Sequence, residues 1–213
     1  MSMFTSILTF AVMLAAFLLA FVLHELAHGW VAYKLGDLTA REQGRLTLNP
    51  FKHVGLVPSL VLPVLTYLLL GFVLAAGKAV PVNSLNFKSA RWGMALVAVA
   101  GPLMNVVLAV FFLVVLVCLH TPQEIWDLAG SGLSSWSTLQ LFLIASYLYN
   151  VILALFNLLP IPPLDGSHIL AAVLPGKLRR LMYTRGFQIG GFVLILVCLY
   201  LGWFQSLIGF IFT

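Results

Sequence analysis

The sequence predicts an all-α protein, a polytopic transmembrane helix bundle that also contains a re-entrant or broken segment. Three observations lead to this class. The 213 residues are 62% hydrophobic and only 8% charged, whereas a soluble globular protein is about 25% charged. The apolar residues form long continuous runs without the alternation of a transmembrane β-barrel. All 11 Lys and Arg residues fall in polar segments next to those runs.

Five apolar runs divide the chain, and they lie at 3–33, 54–76, 90–119, 139–159 and 187–213. The first, third and fourth exceed the roughly 20 residues that an α-helix needs to cross the hydrocarbon layer. The last is either one tilted helix or a span to about Leu201 followed by a short terminal segment. We expect residues 1–213 to form a single membrane-embedded domain.

The basic residues predict the orientation of the bundle. They occupy segments 34–53 and 77–91 and the region after Asp165, whereas loop 120–138 holds two acidic residues and no basic one. Basic segments next to transmembrane helices tend to remain in the cytoplasm. We therefore expect the three basic segments to face the cytoplasm and the acidic loop to face outward.

Run 54–76 conflicts with this pattern if it crosses the membrane once, because its two flanking basic segments would then lie on opposite sides. Pro58 and Pro63 lie in its first half, and proline breaks or kinks a helix. We expect a re-entrant segment or broken hairpin with both ends cytoplasmic. The alternative is an ordinary kinked span with an imperfect charge bias.

Segment 36–50 is polar, and several of its residues suit short strands around Gly44. It is compatible with a small β-ribbon at the cytoplasmic face, whose free edge would pair with an extended peptide. It is equally compatible with a structured connecting loop.

The motif His-Glu-Leu-Ala-His at 24–28 carries the only charged or imidazole side chains in run 3–33. Residues four apart share one face of a helix, so His24 and His28 can bind one metal ion together. Glu25 points away from this pair but can reach a water molecule beside the metal, as in zinc hydrolases. Ionisable groups at membrane depth cost several kcal/mol or more, so the motif indicates a functional site.

A catalytic zinc takes three protein ligands and one water, which requires a third ligand here. Asp165 is the best candidate, since it follows three prolines in four residues that end the preceding helix and leave an extended strip. The predicted topology also brings it to the depth of the histidines. The alternative is an Asp that caps a helix beginning near Gly166. His168 is an alternative ligand, although a packing or interfacial role suits it better.

Three asparagines lie within the apolar runs, at Asn105, Asn150 and Asn157. Such residues often join membrane helices by hydrogen bonds. Asn157 is nearest to the candidate site, where its amide is suited to hold an extended peptide backbone or to stabilise a developing oxyanion.

Together these motifs resemble the site-2 protease family of intramembrane zinc metalloproteases, in its small prokaryotic form. The resemblance rests on HELAH, on Ala-Gly-Pro-Leu-Met-Asn at 100–105 and on Asn-Leu-Leu-Pro-Ile-Pro-Pro-Leu-Asp-Gly at 157–166, and covers roughly residues 20–175. It implies the following roles: one Zn²⁺ ion bound by His24, His28 and Asp165, a catalytic base at Glu25, and substrate handling at Asn157. The chain departs from the small relatives at Ala79, where they often carry a proline.

The resemblance also implies a function. The expected activity is peptide-bond hydrolysis in single-span or membrane-anchored proteins, as in regulated intramembrane proteolysis. The apolar runs and the charge pattern predict the location, which is the cell membrane, with multiple spans and the site toward the cytoplasmic side. The basic residues form no basic face, so no nucleic acid partner is expected. The oligomeric state does not follow from the sequence.

Two other functions are alternatives to this one. A metal-ion transporter would need a relay of polar groups through the bilayer. A homologue without catalytic activity would not need the complete set of His24, Glu25, His28 and Asp165.

Overall fold

The computed structural model describes residues 3–53, 63–68, 73, 77–121, 124 and 136–200. Its α-helices there are α1 (Met3–Lys34), α2 (Thr39–Glu42), α3 (Ala90–Leu119), α4 (Thr138–Asn157), α5 (Asp165–Val173), α6 (Gly176–Met182) and α7 (Arg185–Tyr200), with 3₁₀ turns at Pro50–Lys52 and Ser84–Asn86. Helices α1, α3 and α4 are long and apolar enough to cross a membrane. The predicted helical bundle is therefore confirmed, and the predicted ends of these three helices are at most two residues from the observed ones.

Helix α3 lies antiparallel to α1. His24 of α1 contacts Asn105 of α3, whereas His28, one turn further along α1, contacts Val97, two turns earlier in α3. The N-terminal half of α3 therefore packs beside the C-terminal part of α1, where the HELAH motif lies.

Helix α4 lies antiparallel to α3 and therefore runs in the same direction as α1. Asn150 of α4 contacts Asn105, and the earlier Leu143 packs with Phe112 and with Leu116, which follow Asn105 in α3. Because α1 and α4 are parallel, the chain that follows α4 begins at the same end of the bundle as the last turns of α1.

Local sequence sets both ends of α4. At its start, Ser137 and Gln140 form a capping box, in which each side chain accepts the backbone N–H of the other residue. At its end, the helix stops at Asn157, and the proline-containing strip 158–164 precedes α5. Helix α5 lies so close to this strip that a Cβ atom on Gly166 would overlap the Leu158 carbonyl oxygen.

Most of run 54–76 lies outside the described residues, but both of its flanks are described. The backbone N–H of Lys78 donates a 2.8 Å hydrogen bond to the carbonyl of His53. Between these flanks, the hydroxyl of Tyr67 donates to the carbonyl of Ser6, near the other end of α1. Both flanks of the run therefore lie side by side at one end of the bundle, and Tyr67 lies toward the other end. The re-entry itself falls largely outside the described residues and stays a prediction.

Of the two alternatives for segment 36–50, the β-ribbon is wrong and the structured connecting loop is present. The segment contains the helical turn α2 and no strand. Asp37 explains the difference, because its side chain accepts hydrogen bonds from both the backbone N–H and the hydroxyl of Thr39 and so begins a helical turn. This segment therefore offers no strand edge to an extended peptide.

Candidate metal centre

Three side chains from two distant parts of the chain converge inside the bundle. Nε2 of His24 lies 2.9 Å from Nε2 of His28, and Oδ2 of Asp165 lies 3.3 and 3.2 Å from these two atoms. Both histidines are buried, and the Asp165 side chain is 19% exposed. Among the described residues, these three form the one group of His, Cys, Asp and Glu side chains arranged to hold a metal ion.

Helix α3 supplies a hydrogen-bond acceptor for the other ring nitrogen, Nδ1, of each histidine. Nδ1 of His28 lies 2.6 Å from the carbonyl oxygen of Val97, and Nδ1 of His24 lies 2.5 Å from Oδ1 of Asn105. The Val97 carbonyl can only accept, so Nδ1 of His28 carries the proton and its Nε2 is a free ligand. This is the usual arrangement of metal-binding histidines, which donate from the nitrogen that does not bind the metal.

The three facing atoms fit a zinc ion. In a tetrahedral site with bonds of about 2.0–2.1 Å, ligand atoms are about 3.4 Å apart, close to the distances given above. Oδ2 of Asp165 is buried and accepts no hydrogen bond from the described residues. Lone pairs that converge without a proton between them repel one another, and a cation at their centre removes this repulsion.

Asp165 does not cap α5. The helix begins at Asp165 itself, its N-cap residue is Leu164, and it has no side-chain cap hydrogen bond. Of the two alternatives that the sequence allows for this carboxylate, the geometry supports the one in which it faces the histidines.

Glu25 is held by a backbone donor from outside α1. The N–H of Val80 donates a 2.7 Å hydrogen bond to Oε2 of the Glu25 carboxylate, which is 8% exposed. Strip 77–83, which supplies this donor, is attached at both ends. Lys78 bonds to His53, and the N–H of Asn83 donates a 2.7 Å hydrogen bond to Asp37.

Gly101 is a site residue to which the sequence analysis assigns no role, since it enters there only as part of the Ala-Gly-Pro-Leu-Met-Asn motif. A Cβ atom on Gly101 would overlap Nε2 of His28 and would lie 2.6 Å from Cε1 of His24. The absence of a side chain allows α3 to pass directly beside the ligands. A small residue inside an apolar helix is a common sign of close helix packing, and this was the available signal.

Two other candidates, Asn157 and His168, are not members of the metal-binding group. Asn157 is the last residue of α4, where its amide nitrogen donates to the carbonyl of Leu153. His168 lies on α5, with Nδ1 3.2 Å from the hydroxyl of Tyr183. This contact is compatible with the packing role predicted for His168, which stays a prediction.

Two imidazoles and a carboxylate that converge within a bundle of membrane-length helices define a membrane protein with the ligand set of a catalytic zinc site. The sequence model of Peptidase family M50 matches residues 12–201, and the chain belongs to this family. The predicted resemblance to site-2 proteases is thereby confirmed.

Several relatives are named as putative zinc metalloproteases. The chain is 39% identical over 181 residues to "Putative zinc metalloprotease YwhC" of Bacillus subtilis, covering 84% of this chain and 76% of the relative. It is 32% identical over 205 residues to "Putative zinc metalloprotease Rip2" of Mycobacterium tuberculosis strain Erdman, covering 95% and 73%. A third relative, "Putative zinc metalloprotease MJ0611" of Methanocaldococcus jannaschii, is 32% identical over 168 residues, covering 78% and 72%. No solved structure matches the chain.

Proposed function

We propose that this protein is an intramembrane zinc metalloprotease of the HExxH type that hydrolyses peptide bonds in single-span or membrane-anchored proteins. The observation that carries the proposal is the triangle of His24, His28 and Asp165, formed within the bundle with Glu25 beside it. Membership of Peptidase family M50 supports the same chemistry.

In this proposal His24, His28 and Asp165 hold one zinc ion per chain. When bound, zinc supplies a Lewis acid that activates water and polarises the scissile carbonyl. Glu25 acts as the general base, taking the proton of the attacking water and giving it to the leaving amine. The Val80 N–H occupies Oε2 of Glu25, which leaves Oε1 to take this proton.

Asn157 is proposed to contact the substrate. One hydrogen of its amide nitrogen is used by Leu153, and the second hydrogen and the oxygen remain for a peptide backbone or for a developing oxyanion. A helical substrate must unwind locally before attack, because helical hydrogen bonds engage its peptide groups.

The proposed location is the cell membrane, with multiple spans and the site toward the cytoplasm. HELAH lies in the C-terminal third of α1, and the basic residues of 34–53 follow that end of the helix. The positive-inside rule assigns such an end to the cytoplasm.

The activity is tested with purified full-length protein, a single-span substrate in detergent or liposomes, and the variant Glu25→Gln. Wild type is expected to cleave, whereas Glu25→Gln is expected to bind zinc equally and to show only background cleavage. Gln has nearly the shape of Glu but cannot act as a base. If both proteins contain equal zinc, the loss of cleavage is therefore due to the loss of the base. Equal cleavage by the two proteins would refute the proposal.

The orientation is tested by labelling single cysteines in a background without Cys118 and Cys198. Lys52→Cys and Glu124→Cys are suitable because both side chains are exposed. In sealed inverted vesicles, a membrane-impermeant reagent is expected to label position 52 and not position 124. Labelling of position 124 alone would reverse the orientation.

A further inference from the structure

Two asparagines form a buried pair beside the metal centre. Asn105 of α3 and Asn150 of α4 are both fully buried, and Nδ2 of Asn105 donates a 2.8 Å hydrogen bond to Oδ1 of Asn150. Such a pair joins membrane helices, which by itself is a structural role. The hydrogen bonds on either side of the pair connect it to a metal ligand.

The orientation of Asn150 follows from a backbone carbonyl. Its amide group lies 2.8 Å from the carbonyl oxygen of Ser146, which can only accept. The amide nitrogen must therefore face Ser146, and Oδ1 must face Asn105. The opposite orientation would place two oxygens in contact.

The orientation of Asn105 follows in turn. Its amide nitrogen donates to Oδ1 of Asn150 and, at 3.3 Å, to the carbonyl of Ala20. Both hydrogens of the nitrogen are thus used, and Oδ1 is left to face His24. Because this oxygen only accepts, Nδ1 of His24 must carry the proton, and Nε2 is the free ligand atom.

The two histidines differ in what fixes them. The acceptor for His28 is the main-chain carbonyl of Val97, which no side-chain substitution removes. The acceptor for His24 is a side chain, whose own orientation is set by a second side chain on another helix together with the Ala20 carbonyl. The geometry of the His24 ligand thus depends on Asn150, which does not touch it.

We propose that Asn105 and Asn150 are positioning residues, which form a directed hydrogen-bond relay from the Ser146 carbonyl to His24. The relay sets the protonated nitrogen and the ring orientation of this ligand, and so raises the metal affinity of the site. It rests on the metal centre of the proposed function and not on the identity of the substrate.

The test measures metal affinity, with Co²⁺ as a spectroscopic probe and chelator competition for Zn²⁺, in purified full-length protein. The variants are Asn105→Leu, Asn150→Leu and the double variant, and thermal unfolding is followed in parallel. Thr9→Val is the matched control, because Thr9 is a buried polar residue of α1 placed 15 residues before His24, about 22 Å along the helix.

Loss of a partner that orients a metal ligand typically weakens metal binding about 10- to 100-fold. Asn105→Leu is expected to fall in this range and to alter the Co²⁺ d–d spectrum. Asn150→Leu is expected to weaken binding as well, and the double variant to be no weaker than Asn105→Leu, because both changes interrupt one relay. Thr9→Val is expected to bind metal like wild type.

Wild-type metal affinity in Asn150→Leu, together with lowered thermal stability, would overturn the relay and leave only a helix contact. Additive losses in the double variant would also overturn it, since two independent sites add. If Asn150→Leu does not fold, Asn150→Ala replaces it under the same expectations. A wild type that binds Co²⁺ but cleaves no substrate would refute the protease proposal separately, since the relay is judged by affinity alone.

Discussion

The backbone N–H of Val80 donates a 2.7 Å hydrogen bond to Oε2 of Glu25. These residues lie 55 positions apart, and the donor belongs to a strip that is bonded to His53 at one end and to Asp37 at the other. The orientation of the proposed base is therefore set by polar segments outside its own helix.

Replacing Val80 by Pro is expected to lower kcat about 10- to 100-fold, since a hydrogen bond to a charged group contributes about 1.5–3 kcal/mol. Position 80 precedes Pro81 and already disfavours helical backbone, so a proline there mainly removes the donor. Val80→Ala loses apolar side-chain atoms but keeps the N–H, and is the matched control. Single-turnover cleavage and zinc content are measured for both. If the two variants lose activity equally, the side chain matters and the hydrogen bond does not.

Replacing Gly101 by Ala is expected to weaken zinc binding about 10- to 100-fold, because the added methyl group would overlap Nε2 of His28 and displace a ligand. Elsewhere in a helix the same change stabilises by about 0.5–1 kcal/mol. Gly190→Ala on α7 is the control, since a Cβ there meets no atom within 4 Å. Chelator competition gives the affinities. Wild-type zinc affinity in Gly101→Ala would show that α3 can move away from the site without cost.

Zinc that binds only the folded protein is expected to stabilise it, by about 2.7 kcal/mol at a free zinc concentration 100 times the Kd. The thermal midpoint of wild type should therefore fall on treatment with a chelator and recover with added zinc. Asp165→Ala is expected to lose most of this response, whereas His168→Ala is expected to keep it. The reverse result would assign the third ligand to His168.

Asp37 is expected to make stability depend on pH in the acid range. Burial opposes its ionisation, but hydrogen bonds from Thr39, Asn83 and Asn86 outweigh this effect and lower the pKa of the Asp37 carboxyl. An unfolded Asp titrates near pH 4. The stabilisation is thus complete above about pH 4 and is lost as the pH falls through the lower pKa of the folded state.

The measurement for Asp37 compares thermal midpoints of wild type and Asp37→Asn from neutral to acid pH. The difference is expected to be constant above about pH 5 and to close at lower pH. Glu42→Gln, which changes an exposed carboxylate in the same segment, is expected to show little difference at any pH. If the difference in thermal midpoint between wild type and Asp37→Asn stays unchanged at acid pH, the charge of Asp37 is not what stabilises the loop.

The helices and the proline strip could be predicted from the sequence because their causes are local. Long apolar runs exclude charge, and Pro160 together with Pro162 and Pro163 prevents helix whatever lies nearby. The fold of segment 36–50 could not be predicted in this way. Its acidic residue Asp37 bonds to Asn83 and Asn86, more than 40 residues away, and strand propensity carries no information about such partners.

The membrane class, the spacing of His24, Glu25 and His28, and the strip that ends at Asp165 follow from the amino-acid sequence alone. Each of these depends on neighbours within a few residues. The surroundings of the ligands, in contrast, arise from helix packing: they are the Val97 carbonyl, the absent side chain of Gly101 and the relay through Asn105. These contacts join helices whose packing depends on the whole bundle, and neither a backbone carbonyl nor a glycine reveals in the sequence which residue it will face.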